Sequence, residues 1–154
     1  MSEWKRSTRE VTFEQLPPDV QAETRRHIER YNLGDILSAI SMSVQTDSEK
    51  VKKGLFGSAE VVHQVALLTP RWLIWIASGT KTPVSVHSAL LQDVVVQDYA
   101  KTPFVKMIPD SGIEVSGKFT DASENASAFV GLEDNAAGKK FKELVLESVQ
   151  GVKK

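Results

Sequence analysis

Apolar side chains recur every three or four residues in the first third of the chain, and this spacing predicts helices. The first such set is Val20, Thr24, Ile28 and Tyr31. Proline is tolerated in a first helical turn, and glycine commonly follows a last one. We therefore predict a helix that begins near Pro18 and is capped at Gly34.

Helical spacing continues after Asp35, a candidate N-cap, and predicts a second helix that runs towards Gly54. Its apolar positions are Ile36, Leu37, Ile40 and Val44. Together the two helices are expected to form an N-terminal helical hairpin. We accordingly divide the chain into an N-terminal helical segment, residues 1–54, and a strand-rich domain, residues 55–150.

From Glu60 the pattern changes to short apolar runs separated by turn residues, which predicts about seven antiparallel strands. Their expected bounds are 60–69, 71–78, 83–88, 92–99, 103–108, 112–119 and 127–132. A final amphipathic helix follows a candidate N-cap at Asp134 and is expected to place Phe141 and Leu144 on the sheet.

The strand from Arg71 to Ala77 is apolar on both faces, unlike a half-solvated antiparallel strand. Trp72 is expected on one face of the strand, and Leu73 and Trp75 on the other. Both faces must therefore be covered by other parts of the protein. In one explanation the sheet interior covers one face and the helical hairpin covers the other. In the second, a partner subunit covers part of it, and the candidate interface residues are then Leu55, Phe56, Trp72 and Trp75.

The run Ala66-Leu-Leu-Thr-Pro-Arg-Trp-Leu-Ile-Trp75 resembles the first hairpin of bacterial pleckstrin-homology-like (PH-like) and GRAM-like domains. Residues 85–99 are similar to the next strand pair, and Phe129 to Glu147 is similar to the last strand and capping helix. The resemblance covers roughly residues 55–150. It implies an α+β protein, with a bent antiparallel PH-like β-barrel of about seven strands, a C-terminal capping helix and the N-terminal helical hairpin in front.

The resemblance also implies self-association, and in ligand-binding members basic residues near the first loop. Here that loop is only Thr69-Pro70, followed by the single Arg71, a departure that counts against phosphoinositide binding. The candidate residues for an anionic ligand are Arg71, Lys81, Lys101 and Lys106.

Composition and charge narrow the classes of partner. Hydrophobic residues make up 41% of the 154 residues and charged residues 25%, as in ordinary globular domains. Residues 60–133 hold five Lys and Arg against eight Asp and Glu, so no basic surface for nucleic acid is predicted and a membrane surface is disfavoured. Cysteine is absent, and residues 1–6 are charged with no apolar run behind them, so we expect a cytoplasmic protein.

Candidate chemistry is sparse. His63 and His87 lie in predicted strands without a third ligand at metal-binding spacing, and His27 among arginines is interpreted as a solvated side chain. Asp93 and Asp98 are expected on opposite strand faces. We therefore predict no enzyme, no metal and no cofactor.

Three functions remain in competition. The first is a non-catalytic PH-like interaction module that acts through protein contacts and self-association. The second is a lipid-headgroup or membrane-surface module of GRAM-like type. The third is a small-ligand-binding barrel or an enzyme with a pocket inside the bent sheet.

Overall fold

Two antiparallel sheets and two α-helices form the fold in the residues that the computed structural model describes, 4–50 and 60–153. The strands are β1 (Trp4–Glu10), β2 (Met42–Lys50), β3 (Glu60–Leu68), β4 (Trp72–Gly79), β5 (Ser85–Leu90), β6 (Val94–Asp98), β7 (Gly112–Gly117) and β8 (Ala126–Gly131). The helices are α1 (Pro18–Arg30), between β1 and β2, and α2 (Ala136–Val152), at the end of the chain. The protein is therefore of the α+β class.

The larger sheet is a five-stranded meander in the order β1-β2-β3-β4-β5, and the smaller sheet has the order β6-β7-β8. Every neighbouring pair is antiparallel. A short 3₁₀ turn, Leu91–Asp93, joins β5 to β6, which do not pair with each other. The sheets are instead bridged by Gln64, whose amide accepts from Gly131 N–H at 2.9 Å and donates to the Phe129 carbonyl at 3.2 Å. The arrangement is consequently not the closed barrel expected from the sequence.

The main core lies between the two sheets and α2. The helix contributes Phe141, Val145 and Val149, which recur every fourth residue and therefore share one face. They pack with Leu73 and Trp75 of β4, together with residues from both sheets. The C-terminal helix is confirmed, although its N-cap is Asn135 rather than Asp134.

A second core covers the other face of the larger sheet. Ile74 and Ile76 of β4 pack there with Val20 of α1 and with Phe13 from the segment before that helix. Trp72 is partly buried against the same cluster. Both apolar faces of β4 are therefore covered within the chain, one by the main core and the other by α1 and its flanking segments.

The predicted second helix and the N-terminal helical hairpin are wrong. Between α1 and β2 the chain forms a 3₁₀ turn, Leu37–Ala39, and no second α-helix. β2 itself pairs with β1 on one side and β3 on the other. The sequence of β2 is rich in Ser, Thr and Val, which have weak helix propensity, and strand pairing decides its conformation. β2 and β3 flank the predicted boundary at residues 54 and 55, and they lie in one sheet.

Six of the predicted strands are confirmed as β3 to β8, with small differences at their ends. The predicted strand at 103–108 is wrong, because Pro103–Lys106 forms a 3₁₀ turn. Proline at its first position cannot donate to a strand ladder but fits the start of a helical turn. The polar edge strand β1 was not predicted.

The position of Phe141 makes the α2 contact testable. This side chain is fully buried in the main core, so Phe141→Ala is expected to lower the free energy of unfolding by about 3–5 kcal/mol. Chemical denaturation measures the change. Lys140→Ala, at an exposed position of the same helix, should stay within about 0.5 kcal/mol. Equal effects of the two substitutions would contradict the packing of α2 described above.

Candidate functional site

The segment between β6 and β7, residues 99–111, presents an exposed apolar surface. Phe104 is 56% exposed, Met107 83% and Ile108 67%. We call these three side chains the apolar tip. Large apolar side chains are rarely clustered in water on a monomeric protein, and such clusters mark contact surfaces.

Hydrogen bonds within the segment fix the backbone beneath the apolar tip. The buried Tyr99 donates its hydroxyl to the Ile108 carbonyl at 2.6 Å, and Thr102 Oγ1 donates to the Tyr99 carbonyl at 2.8 Å. Ile108 N–H donates to the Phe104 carbonyl at 2.9 Å. These bonds order the turn on which the apolar tip stands.

Ion pairs hold both ends of the segment. At the start, Asp98 lies 3.1 Å from Lys142 Nζ on α2 and also accepts from the Ala100 N–H at 3.0 Å. At the end, Asp110 accepts two hydrogen bonds from Arg6 of β1, at 2.7 and 2.6 Å. Two carboxylates that flank the tip are thus neutralised by cations from other elements.

Two lysines on the same segment keep their charge available to solvent. Lys101 and Lys106 are both exposed, and no ion pair among the described residues includes either one. Since Asp98 and Asp110 are paired elsewhere, the surface around the apolar tip carries a local excess of positive charge. Residues 60–133 have the opposite balance as a whole.

The other two candidate anion-binding residues lie elsewhere. Arg71 precedes β4 and Lys81 follows it, so the eight residues of that strand separate them, about 26 Å at the usual rise per residue. Lys101 and Lys106 share the segment between β6 and β7, whereas Arg71 and Lys81 flank β4.

Two of the four candidate interface residues, Trp72 and Trp75, are partly buried and buried, respectively. Trp75 is buried in the main core, where its ring meets the edge of Phe119 at a centroid distance of 4.9 Å. Trp72 packs against the second core. Leu55 and Phe56 lie outside the described residues. Neither tryptophan thus offers a partner the broad apolar surface that the sequence suggested.

A separate polar cleft lies between α1 and β5. His27 of α1 is buried there, with Nε2 2.7 Å from Ser88 Oγ, and Ser88 in turn donates to Thr120 Oγ1 at 2.9 Å. Nearby, His87 Nδ1 lies 2.8 Å from Asp121 Oδ2. The interpretation of His27 as a solvated side chain is therefore wrong, because a partner 61 positions away in sequence decides its burial.

Two pKa values are shifted in informative directions. Burial lowers the pKa of His27 below 6.5; Asp121 opposes this shift, and His87 and Arg30 add to it. For Asp47, burial opposes ionisation, but hydrogen bonds from Gln45, His63 and Arg9 outweigh it and hold the pKa below its ordinary value. His63 Nδ1 lies 2.6 Å from Asp47 Oδ1.

Catalytic and metal chemistry find little geometric support. A serine hydrogen-bonded to a histidine is the pairing of a nucleophile with its general base. Ser88, however, is fully buried and has no surface that a substrate could contact. Across residues 4–50 and 60–153, no group of three or more histidine or acidic side chains is placed to hold a metal ion.

No protein-family model matches the chain, and comparisons with curated proteins and with solved structures also gave no match. Neither α1 nor α2 has the length and apolar composition needed to cross a lipid bilayer. The candidate site is accordingly defined by geometry alone.

Sequence reasoning missed the apolar tip although a signal was present. Phe104, Met107 and Ile108 stand between Pro103 and Pro109 and are interspersed with lysine. Two prolines six residues apart argue for a loop rather than a strand, and apolar side chains in a loop are exposed unless the fold returns over them.

The ion pair at the end of the tip segment gives one test. Asp110→Asn leaves the mostly buried Arg6 guanidinium without a counter-charge and should cost about 3 kcal/mol of folding stability in chemical denaturation. Asp134→Asn removes a carboxylate 3.8 Å from Lys139 on the surface and should cost less than about 0.5 kcal/mol. If both variants unfold like the parent, the Arg6 contact contributes nothing to stability.

The lowered pKa of His27 gives a second test. Above pH 6.5 the folded and unfolded states both hold it neutral, and below that value the unfolded state takes up the proton first. The free energy of unfolding should therefore fall as pH drops from 7.5 towards 5, with a slope from this residue of at most about 1.4 kcal/mol per pH unit. His27→Gln should flatten the measured slope. An unchanged slope would remove His27 as its source.

Proposed function

We propose that this protein is a non-catalytic interaction module of the PH-like class, and that it docks on anionic membrane surfaces through the apolar tip together with Lys101 and Lys106. The observation that carries the proposal is the exposure of three large apolar side chains on an ordered segment with two exposed lysines. Membrane-surface segments combine these features, since apolar groups enter the headgroup region and cations meet anionic lipid.

The order of elements supports the PH-like assignment. Strands β2 to β8 form antiparallel sheets and are followed by α2, which packs over the core between those sheets. Seven strands and one C-terminal helix is the order that the resemblance of the sequence implies. In this assignment β1 and α1 are additions at the N-terminal side, and the PH-like unit begins at β2, so the hairpin of β3 and β4 becomes its second hairpin rather than its first.

The energies involved make both parts of the site necessary. Complete burial of an apolar side chain contributes about 1.5–3 kcal/mol, and insertion into a headgroup region realises only part of this. A lysine close to an anionic leaflet contributes about 1 kcal/mol. Neither the apolar tip nor the lysines alone would hold the protein at a membrane, so binding should depend on both.

The fixed backbone of the segment also favours docking. Because Tyr99 and the ion pairs of Asp98 and Asp110 already order it, little conformational entropy is lost when the tip meets a surface. A disordered loop of the same composition would lose more.

Self-association is the second candidate function. It is favoured by β6, an edge strand of the smaller sheet in which Val95 is 53% exposed. An exposed strand edge can pair with another chain. Light scattering should then show a mass above the 17.0 kDa of one chain, and the excess should disappear in Val95→Lys.

Vesicle co-sedimentation tests the membrane proposal. We expect binding to vesicles of phosphatidylcholine with phosphatidylserine, little binding to phosphatidylcholine alone, and weakening with added salt. Lys106→Glu and Phe104→Ser should each reduce binding by about tenfold or more, since each removes one of the two contributions.

Arg71→Glu is the matched control, because it makes the same charge change at an exposed position that precedes β4 and is not part of the β6–β7 segment. It should leave vesicle binding unchanged. Binding that is absent, insensitive to anionic lipid, or reduced equally by Arg71→Glu and Lys106→Glu would overturn the membrane proposal. Absent vesicle binding with a raised solution mass would favour self-association.

A further inference from the structure

The cleft between α1 and β5 has no part in the membrane proposal and is a separate candidate for ligand binding. It has a volume of about 360 Å³, enough for a small molecule, and is lined mainly by polar and charged side chains. Those used in the argument are Glu23, Arg26, His27, Arg30, Tyr31 and Asp121. Most of them belong to the last turns of α1.

One nitrogen of His27 is available to a ligand. Ser88 uses its hydrogen in donating to Thr120, so it accepts from His27 Nε2–H, and Nδ1 is left as a lone-pair acceptor. No partner for Nδ1 exists among the described residues. Their buried side-chain nitrogen and oxygen atoms are all paired. Nδ1 must therefore reach solvent, and the cleft that His27 lines is where it does so.

One cation of the cleft remains open to an anion. Its two carboxylates are already engaged, Glu23 with the guanidinium of Arg26 and Asp121 with His87. Arg30 lies 5.5 Å from the ring of Tyr31 and has no ion pair within the described part of the chain. A guanidinium with free donors matches the geometry of carboxylate and phosphate groups.

We propose that this cleft binds a small oxyanion, a carboxylate or a phosphate group, between the guanidinium group of Arg30 and the ring of His27. Binding takes up one proton. The proton adds to Nδ1, which then donates to the anion, while Nε2–H keeps its bond to Ser88. No covalent bond forms or breaks in the ligand.

Proton uptake follows from the groups that face His27. In the empty cleft burial disfavours its charged form, and His87 and Arg30 add repulsion that Asp121 only partly offsets. Arg26 and Glu23 largely neutralise each other. A bound anion supplies the missing counter-charge and raises the pKa of His27. By linkage, anion affinity must increase as pH falls, by up to about tenfold per pH unit for one proton.

Sulfate is the most useful probe, because it keeps its charge between pH 5.5 and 7.5 whereas phosphate titrates in that range. The full chain would be titrated with sulfate at constant ionic strength, with chloride as the balancing ion, and followed by NMR shifts of amides and histidine rings. We expect saturation, shifts centred on α1 and β5, and tighter binding at pH 5.5 than at pH 7.5. Acetate and inorganic phosphate at pH 7.5 then show which oxyanion class the cleft prefers.

Variants on α1 decide whether the cleft is the site. Arg30→Gln should weaken sulfate binding by about tenfold or more, because it removes a charge-assisted contact. Arg25→Gln makes the same charge change on the same helix outside the cleft and should leave binding unchanged. Both positions are exposed, so both variants should fold. His27→Gln should abolish the pH dependence of affinity.

Three results would overturn the proposal. The first is titration that does not saturate, which would indicate general screening of charge. The second is equal weakening by Arg25→Gln and Arg30→Gln. The third is saturable binding whose affinity is independent of pH in the parent chain, which would exclude His27 as the group that takes up the proton.

Discussion

The Arg6 guanidinium holds together parts of the fold that backbone pairing does not join. From β1 it bonds to Asp110 before β7, and it lies 5.5 Å from the ring of Phe129 in β8. A further bond to Ser48 lies within the β1–β2 pair. β8 accommodates it with a glycine. A Cβ at Gly131 would lie 2.5 Å from Arg6 Nη1, so any other residue there would displace the guanidinium. This mostly buried cation and Gln64 thus both link the larger sheet to the smaller one.

This interaction also explains how an apolar tip can persist in water. Exposed apolar side chains gain nothing from the folded state, so the segment that carries them must be ordered by other contacts. Arg6 and Lys142 supply these contacts through Asp110 and Asp98, and Tyr99 closes the turn between them. These contacts order the segment, so its apolar side chains are held in place before any partner binds.

The parts of the fold that could be predicted from the sequence are those with their own hydrophobic pattern, α1, α2 and six strands. β1 and β2 lack such a pattern. In β2 the buried side chains include Ser43 and Thr46, which are satisfied by the Val11 carbonyl and by Thr8. Buried polar residues with distant partners resemble surface residues in a sequence, so a strand in the middle of a sheet was predicted as a helix.

The candidate sites also depend on contacts between residues that are distant in sequence. Lys101 and Lys106 were identified as cations from the sequence. Their positive charge is available to a ligand only because the nearby Asp98 and Asp110 are paired with other cations. Those cations, Lys142 and Arg6, are 44 and 104 residues away in sequence. His27 was judged by its arginine neighbours, although Ser88 decides its environment. Charge along a chain shows which groups are present. Which of them keep their charge for a ligand is decided by pairing in three dimensions.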